Sequence, residues 1–382
     1  MKVANIISGS MAVTLCCLFF SSCSHNEEKS EDNRCSVLIK ANKSLAGAQA
    51  RVYVYSSVGH IELRDSAIVD STGYATISDT CHTWGSIACV TVGGNSCYFI
   101  MEPGSVAVDL PNEFVSGPAQ NNNLQAFTYS LDSLRNIASI GFDSICAIQS
   151  LAYEEKQVML ANLVNDANRK IADLTISAAN GSINAFGQYA FWVGIAKNSS
   201  LSASEIVKLS EDVPHEIKNF GPTANTIQKC KNSEQTSVGT DFADLSLVSY
   251  DGTSIKLSDL INGQDFVIVH AFDPYNETTP HTLSMLHRLL DKSKQSHLRI
   301  NIVSLCEYSR DDIVKKIVDK FHLTWTMVAD PEASAVNTYG IQKLPYFMVI
   351  DGKGKIIERG IKEKALPNWV NGEIRQRTES KL

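Results

Sequence analysis

The sequence predicts a multidomain α+β chain, with an N-terminal antiparallel β-domain, a helical spacer and a C-terminal α/β sandwich. Three observations lead there. Short β-rich runs punctuated by Gly, Asn and Asp fill residues 35–115. Apolar residues then recur at helical spacing through 116–232. From 233 to 382, continuous apolar runs alternate with amphipathic stretches. At 382 residues the chain is long for one domain, so two or three folded units are expected. A hydrophobic content of 44% is ordinary for a globular protein, and a net charge of -7 gives no electrostatic reason to expect nucleic-acid binding.

Residues 1–22 read as a targeting signal. Lys2 supplies the positive start, and "VANIISGSMAVTLCCLFF" the apolar core. "FSSC" then places small Ser21 and Ser22 before Cys23, which resembles the lipobox of bacterial lipoproteins. That resemblance implies acylation of Cys23 and anchoring to a lipid bilayer in the cell envelope, rather than a plain secretory signal or an uncleaved anchor. The polar "SHNEEKSEDNR" that follows fits a solvated tether over 23–34. No later segment is apolar for long enough to span a bilayer.

In the β-region, "CSVLIKA", "ARVYVYSS", "SAIVD", "GYATIS", "GSIACVTV" and "CYFIMEPGSVAVDL" predict strands of a sandwich or half-barrel. The strings "LRDSAIVDSTGYATIS" and "FIMEPGSVAVDL", with Asp65-Ser66, Gly73 and Glu102-Pro103-Gly104, resemble a small β-domain of unknown function. It precedes a thioredoxin-like domain in many Gram-negative envelope lipoproteins. Cys89 and Cys97 flank "VTVGGNS", a hairpin turn. Whether they face each other depends on register, because a one-residue slip swaps faces.

The spacer follows. Leu124, Phe127, Leu131, Leu134 and Ile137 form one apolar stripe, and Val158, Leu163, Val164, Ala167, Ile171 and Leu174 another. Such stripes are read as core or docking faces. Ser202 and Glu205 in "SASEIVKLSED" are placed as a capping box.

In the last region, short strands surround an Asp251-Gly252 turn, and "DFVIVHAF" reads as a central strand buried on both faces. A helix follows from about Pro280 to Ser293. "LRINIVSLC" predicts a second buried strand and "DDIVKKIVDKFHL" a second helix. "YFMVID" and "KIIERG" flank "GKG" as a hairpin, before a last helix.

These residues resemble the thioredoxin-like fold of envelope thiol–disulfide oxidoreductases and of the alkyl hydroperoxide reductase/thiol-specific antioxidant family. Gly239, Phe242, Leu247 and Gly252 match the opening motif, and "YGIQKLPYFMVIDGKGKII" matches the stretch around the cis-proline and final hairpin. The resemblance implies that Pro345 is that cis-proline, with Leu344 and Tyr346 beside it, presenting backbone to an extended peptide.

The departure lies at the strand-to-helix junction "VIVHAFDPYNETT". Laid on the family's Cys-x-x-Cys pattern, Asn276 and Thr279 take the two cysteine positions. Read from Pro274 and Thr278 against the peroxidase pattern, His281 falls where the reactive cysteine belongs. A thiolate is needed there because the helix N-terminus lowers a thiol's pKa and raises its reactive fraction. Asn276 or Thr279 is instead expected to cap the helix, with Pro280 at its first position.

Chemistry could have moved. Eight cysteines run from Cys23 onward, so acylation of Cys23 leaves an odd seven. Cys306 ends the neighbouring strand at the carboxyl edge where α/β sheets favour ligands, but a small buried hydrophobe is the commoner role for such a residue. Cys230 could pair with a thiol elsewhere. His270 reads as a satisfied core histidine. His281 and His287 are six apart and turn to different helix faces, and no zinc spacing or Gly-rich phosphate loop is present, so neither metal nor cofactor is expected. The resulting expectation is a lipid-anchored envelope protein without dithiol activity that binds a peptide or partner beside Pro345. The competing expectation is an oxidoreductase or peroxidase using Cys306.

Overall fold

A computed structural model describes residues 33–379, apart from 57–59, 199, 297 and 308. The expected signal peptide, Cys23 and nearly all of the tether lie outside the described residues. No described helix is long and apolar enough to cross a membrane.

Eight strands open the fold: β1 (Arg34–Lys40), β2 (Gln49–Tyr55), β3 (Ile61–Ile68), β4 (Tyr74–Thr80), β5 (Ser86–Val92), β6 (Asn95–Met101), β7 (Gly104–Asp109) and β8 (Phe114–Ser116). They form two four-stranded sheets, ordered β4-β1-β7-β8 and β3-β2-β5-β6. Alternation buries Val37, Ile39, Val106 and Val108 of one sheet against Val52, Val90 and Phe99 of the other. All pairings are antiparallel except β1 with β7, which run parallel. The β5–β6 turn uses Gly93 and Gly94 at φ +55 and +89, a conformation that disfavours side chains. Register settles the cysteine question it raised: Cys89 pairs with Tyr98 and Cys97 with Val90, so the two thiols point to opposite faces and both are free.

The outer face of β5 and β6 carries Ile87 and Ile100, which pack under a helical layer. That layer comprises α1 (Ala119–Ala147), α2 (Tyr153–Gly181), α3 (Ala185–Phe191), a π-helical turn at Trp192–Ala196, α4 (Ala203–Glu211), α5 (His215–Lys218) and α6 (Gly221–Gln235). Buried Asn121 ties the layers, bonding Ile100 through its amide and sitting on the Glu102 carboxylate, which accepts the Asn121 backbone N–H at 3.0 Å. A carboxylate at a helix start is favoured by the exposed amides there. The Ser202/Glu205 capping box forms at α4. Of the stripe on α1, Leu124, Phe127 and Leu131 are buried, but Ile137 is 60% exposed, as is Val158 of α2 at 61%. No described residue between 132 and 167 is fully buried, because this length of the α1–α2 hairpin has no layer beneath it.

The C-terminal region holds β9 (Ser246–Val248), β10 (Ser254–Lys256), α7 (Leu257–Ile261), β11 (Phe266–Phe272), α8 (Thr279–Gln295), β12 (Ile300–Glu307), α9 (Asp311–Phe321), β13 (Thr326–Asp330), α10 (Ser334–Thr338), β14 (Tyr346–Asp351), β15 (Ile356–Arg359) and α11 (Leu366–Glu379). The five-stranded sheet is ordered β13-β12-β11-β14-β15, parallel across β13, β12 and β11 and antiparallel beyond. Every residue of β11 is buried, between one core under α8, α9 and α11 and another under α7 and α10. The sequence reading missed β13 and α10. Both are five residues long, too short to show a period.

α6 docks on this sheet through α10. Asn232 donates to Asn337 O at 2.7 Å, and Gln342 donates to the buried Cys230 sulfur at 3.1 Å. Cys230 is free, so no disulfide holds this seam. Arg359 donates to the carbonyls of Thr236 and Tyr339 from the sheet side.

Candidate functional site at the carboxyl edge of the sheet

β11 runs parallel to β12 with Phe272 opposite Cys306, and antiparallel to β14 with Ala271 opposite Tyr346. One step further along β14 brings Pro345 beside Phe272. The turn after β11, the end of β12 and the approach to β14 therefore share one edge. The Leu344–Pro345 bond is cis, and Leu344, Pro345 and Tyr346 are half-buried.

The turn is closed by oxygen and nitrogen alone. Asn276 Oδ1 accepts from Thr278 N and Oγ1, both at 2.9 Å, and Thr279 Oγ1 donates to Asp273 O at 2.8 Å. These bonds correct the expected cap: Thr278 occupies the N-cap position of α8 without a side-chain cap bond, Thr279 is the first helical residue, and Pro280 is the second. Asn276 spends its carbonyl on its own turn. Tyr275, at the tip, is 75% exposed.

His281 projects from the first turn of α8. Its Nδ1 lies 2.9 Å from Glu363 Oε1, which also accepts the Thr282 hydroxyl at 2.8 Å. His287, two turns on, pairs instead with Asp291 at 3.5 Å. Among the described residues no group of three or more His, Cys, Asp or Glu is placed to hold a metal ion.

Cys306 is fully buried, and burial pushes its thiol up to about 12. That is the reverse of the electropositive, exposed setting a reactive thiol needs. The geometry brings Cys306 to the expected edge but turns it into the α8-side core.

Two polar groups lie behind this edge: His270, which the sequence placed in the core as a satisfied histidine, and Glu307, which it did not single out. His270 lies fully buried between Phe272 and Phe347, with ring centroids 4.9 and 4.8 Å away and planes within 9°. Trp325 Nε1 donates to Ser304 Oγ at 2.9 Å, and that hydroxyl sits 3.1 Å from His270 Nδ1. Which of the two donates across that contact follows the ring's tautomer, and in either one Nε2 has no hydrogen-bond partner, so His270 is only half satisfied. Burial drives its pKa down to about 3. On the other face, Glu307 is 1% exposed and stands in register with Asp330. Asp330 accepts two backbone N–H groups of α10, each at 2.8 Å. Burial, and then the Asp330 charge, push Glu307 up to about 9, with Lys229 acting weakly the other way. Both Glu307 carboxyl oxygens are buried without a hydrogen-bond partner. The signal for both groups was a polar letter inside an apolar run, "VIVHAF" and "SLCE"; their partners depended on register.

A mixed sheet of this order, a helix opening at the end of its central strand, and a cis-proline facing that opening define a thioredoxin-like domain. Residues 238–359 match the AhpC/TSA family. Thiol-disulfide oxidoreductase ResA of Bacillus anthracis and that of Bacillus thuringiensis are each 24% identical over 133 residues, which is 35% of this chain and 75% of theirs. Among solved structures, the thioredoxin domain of a thiol-disulfide oxidoreductase from Bacteroides vulgatus shares 18% identity, covering 36% of this chain and 98% of that one, with a TM-score of 0.33. A thiol:disulfide interchange protein from Chlorobium tepidum gives the same 18% identity, 36% and 98% coverage and TM-score of 0.33. The family match over residues 238–359 and these relatives agree with a thioredoxin-like C-terminal domain.

Proposed function

We propose that this chain is a cell-envelope protein, anchored to a bilayer through an acylated Cys23, whose thioredoxin-like domain grips an extended peptide or partner segment beside Pro345 without exchanging disulfides. One observation carries the reading: a cis Leu344–Pro345 bond faces a turn whose positions 276 and 279 hold Asn and Thr, both engaged in the turn's own hydrogen bonds. Disulfide exchange requires a thiolate to attack sulfur, and neither side chain supplies one. The main chain leading into β14 beside Pro345 still offers hydrogen bonds to an extended segment, while exposed Tyr275 and half-buried Leu344 and Tyr346 offer contacts for its side chains. Two measurements test it. Insulin-disulfide reduction should show no turnover above buffer, and clear turnover that survives Cys306→Ser would refute the loss of activity. Titration with reduced, carboxymethylated α-lactalbumin as an extended-chain probe should shift the amide resonances of residues 273–281 and 343–347; shifts confined to other surfaces would overturn the binding role. Anchoring is tested by palmitate incorporation, expected to vanish in Cys23→Ser.

A second reading follows from what the relatives are called: an oxidoreductase in which Cys306, at the same edge, replaces the missing pair. Against it stands a thiol with no exposure and, at about 12, a thiolate fraction at pH 8 of about one in ten thousand. Iodoacetamide at pH 8 should label exposed Cys146 within minutes and Cys306 only after denaturation. Native labelling of Cys306 at a comparable rate would revive the enzyme.

A further inference from the structure

We propose that one flank of α1 is a self-association surface, on which a second copy of this chain lays the same flank antiparallel to the first, so that the two α1–α2 hairpins make a four-helix bundle. Ala126, Ser130, Ser133, Ile137, Ile140 and Ser144 follow one another by three or four residues and so line one side of the helix for about 27 Å. None is charged. The charged residues of α1, Asp132, Arg135 and Asp143, all lie more than about a quarter-turn away from this line. Solvent-facing helix flanks ordinarily carry Lys and Glu; this one carries small side chains at one end and large ones at the other.

The two ends complement each other. At the near end, Ala126 and Ser130 line a groove of about 360 Å³ together with Leu174, Ser177 and Gly181 of α2. At the far end, Ile137 and Ile140 stand 60% and 58% exposed. A two-fold axis through Ser133 brings the partner's isoleucines over this molecule's groove and this molecule's isoleucines over the partner's, the self-complementary arrangement a symmetric dimer requires. Tyr129, 75% exposed beside Phe114, widens the contact. A half-exposed aliphatic side chain presents tens of Å². These residues with the groove walls therefore supply several hundred, the order of the ~800 Å² per partner in a standard interface. Other occupants fit less well. A bilayer surface calls for a basic rim, and the lone Arg of α1 points away from the strip. A charged partner would bury its charges unpaired.

Sedimentation equilibrium of residues 24–382 between 1 and 100 μM tests the proposal. The expected result is a monomer–dimer equilibrium that Ile137→Glu weakens at least tenfold, with no change in circular dichroism and none in melting temperature at concentrations where both chains are monomeric. In a Cys146→Ser background, Ser133→Cys should cross-link two copies under mild oxidation, whereas Ser139→Cys, on the opposite side of α1, should not. A monomer throughout the range would overturn it. So would a dimer indifferent to Ile137→Glu, or equal cross-linking at positions 133 and 139.

Discussion

His270 and Glu307 occupy neighbouring strands, and burial holds both uncharged, with opposite consequences for pH. The folded pKa of His270 is depressed from 6.5 to about 3, so below 6.5 the unfolded chain takes up a proton that the folded one refuses. Its contribution is full above pH 6.5 and is lost as pH falls through 3, a loss of about 5 kcal/mol over the whole window. Urea titrations from pH 7 to 4 should show that slope in the native chain and a flatter one in His270→Phe; equal slopes would mean the ring is not held neutral. Glu307 is raised from 4.5 to about 9, so its folded state keeps a proton the unfolded state releases. Stability from this group is present below pH 4.5 and lost as pH rises through 9. Glu307→Gln should therefore be more stable than the native chain at pH 9 and gain little at pH 5. Both groups are visible in the sequence as polar letters in apolar strands. Their states were not, because desolvation depends on helices laid over each face.

At the scale of elements, β11 and β12 were legible because strands buried on both faces read as unbroken apolar runs, and α8 because its leucines recur at helical spacing. The start of α8 was less so: Asn276, Thr278 and Thr279 are all competent caps, and only the folded turn shows each committed elsewhere. The seam between α6 and α10 is sharper still. Gly340, at φ +59, has Lys229 O 2.0 Å and Ser233 N 2.4 Å from where a Cβ would stand. Backbone strain and a backbone clash then act together, so Gly340→Ala should cost about 2–4 kcal/mol. Thermal unfolding checks this, and a change under 1 kcal/mol would show that α6 can yield.

For the whole molecule, that seam means the thioredoxin-like domain does not stand alone energetically. The carbonyl of Tyr339 accepts from the Thr236 hydroxyl at the end of α6, and the Arg359 guanidinium loses its Thr236 acceptor if the chain begins at Val238. Calorimetry of residues 238–382 should give a melting temperature at least ~5 °C below that of the same domain in the longer chain. Identical values would make the helical layer a passenger.

Period, turn chemistry and the identity of residues 276–279 are properties of short stretches of chain. The order of β-rich, helical and α/β regions, and the lack of sulfur at the strand-to-helix turn, were therefore determined by the sequence alone. Register and packing join residues far apart, and they alone decided that Cys89 and Cys97 turn their backs on each other, that Cys306 faces a core, and that Ile137 faces water. A side chain's period says which neighbours it shares a face with; only the layer laid against that face says whether it is covered.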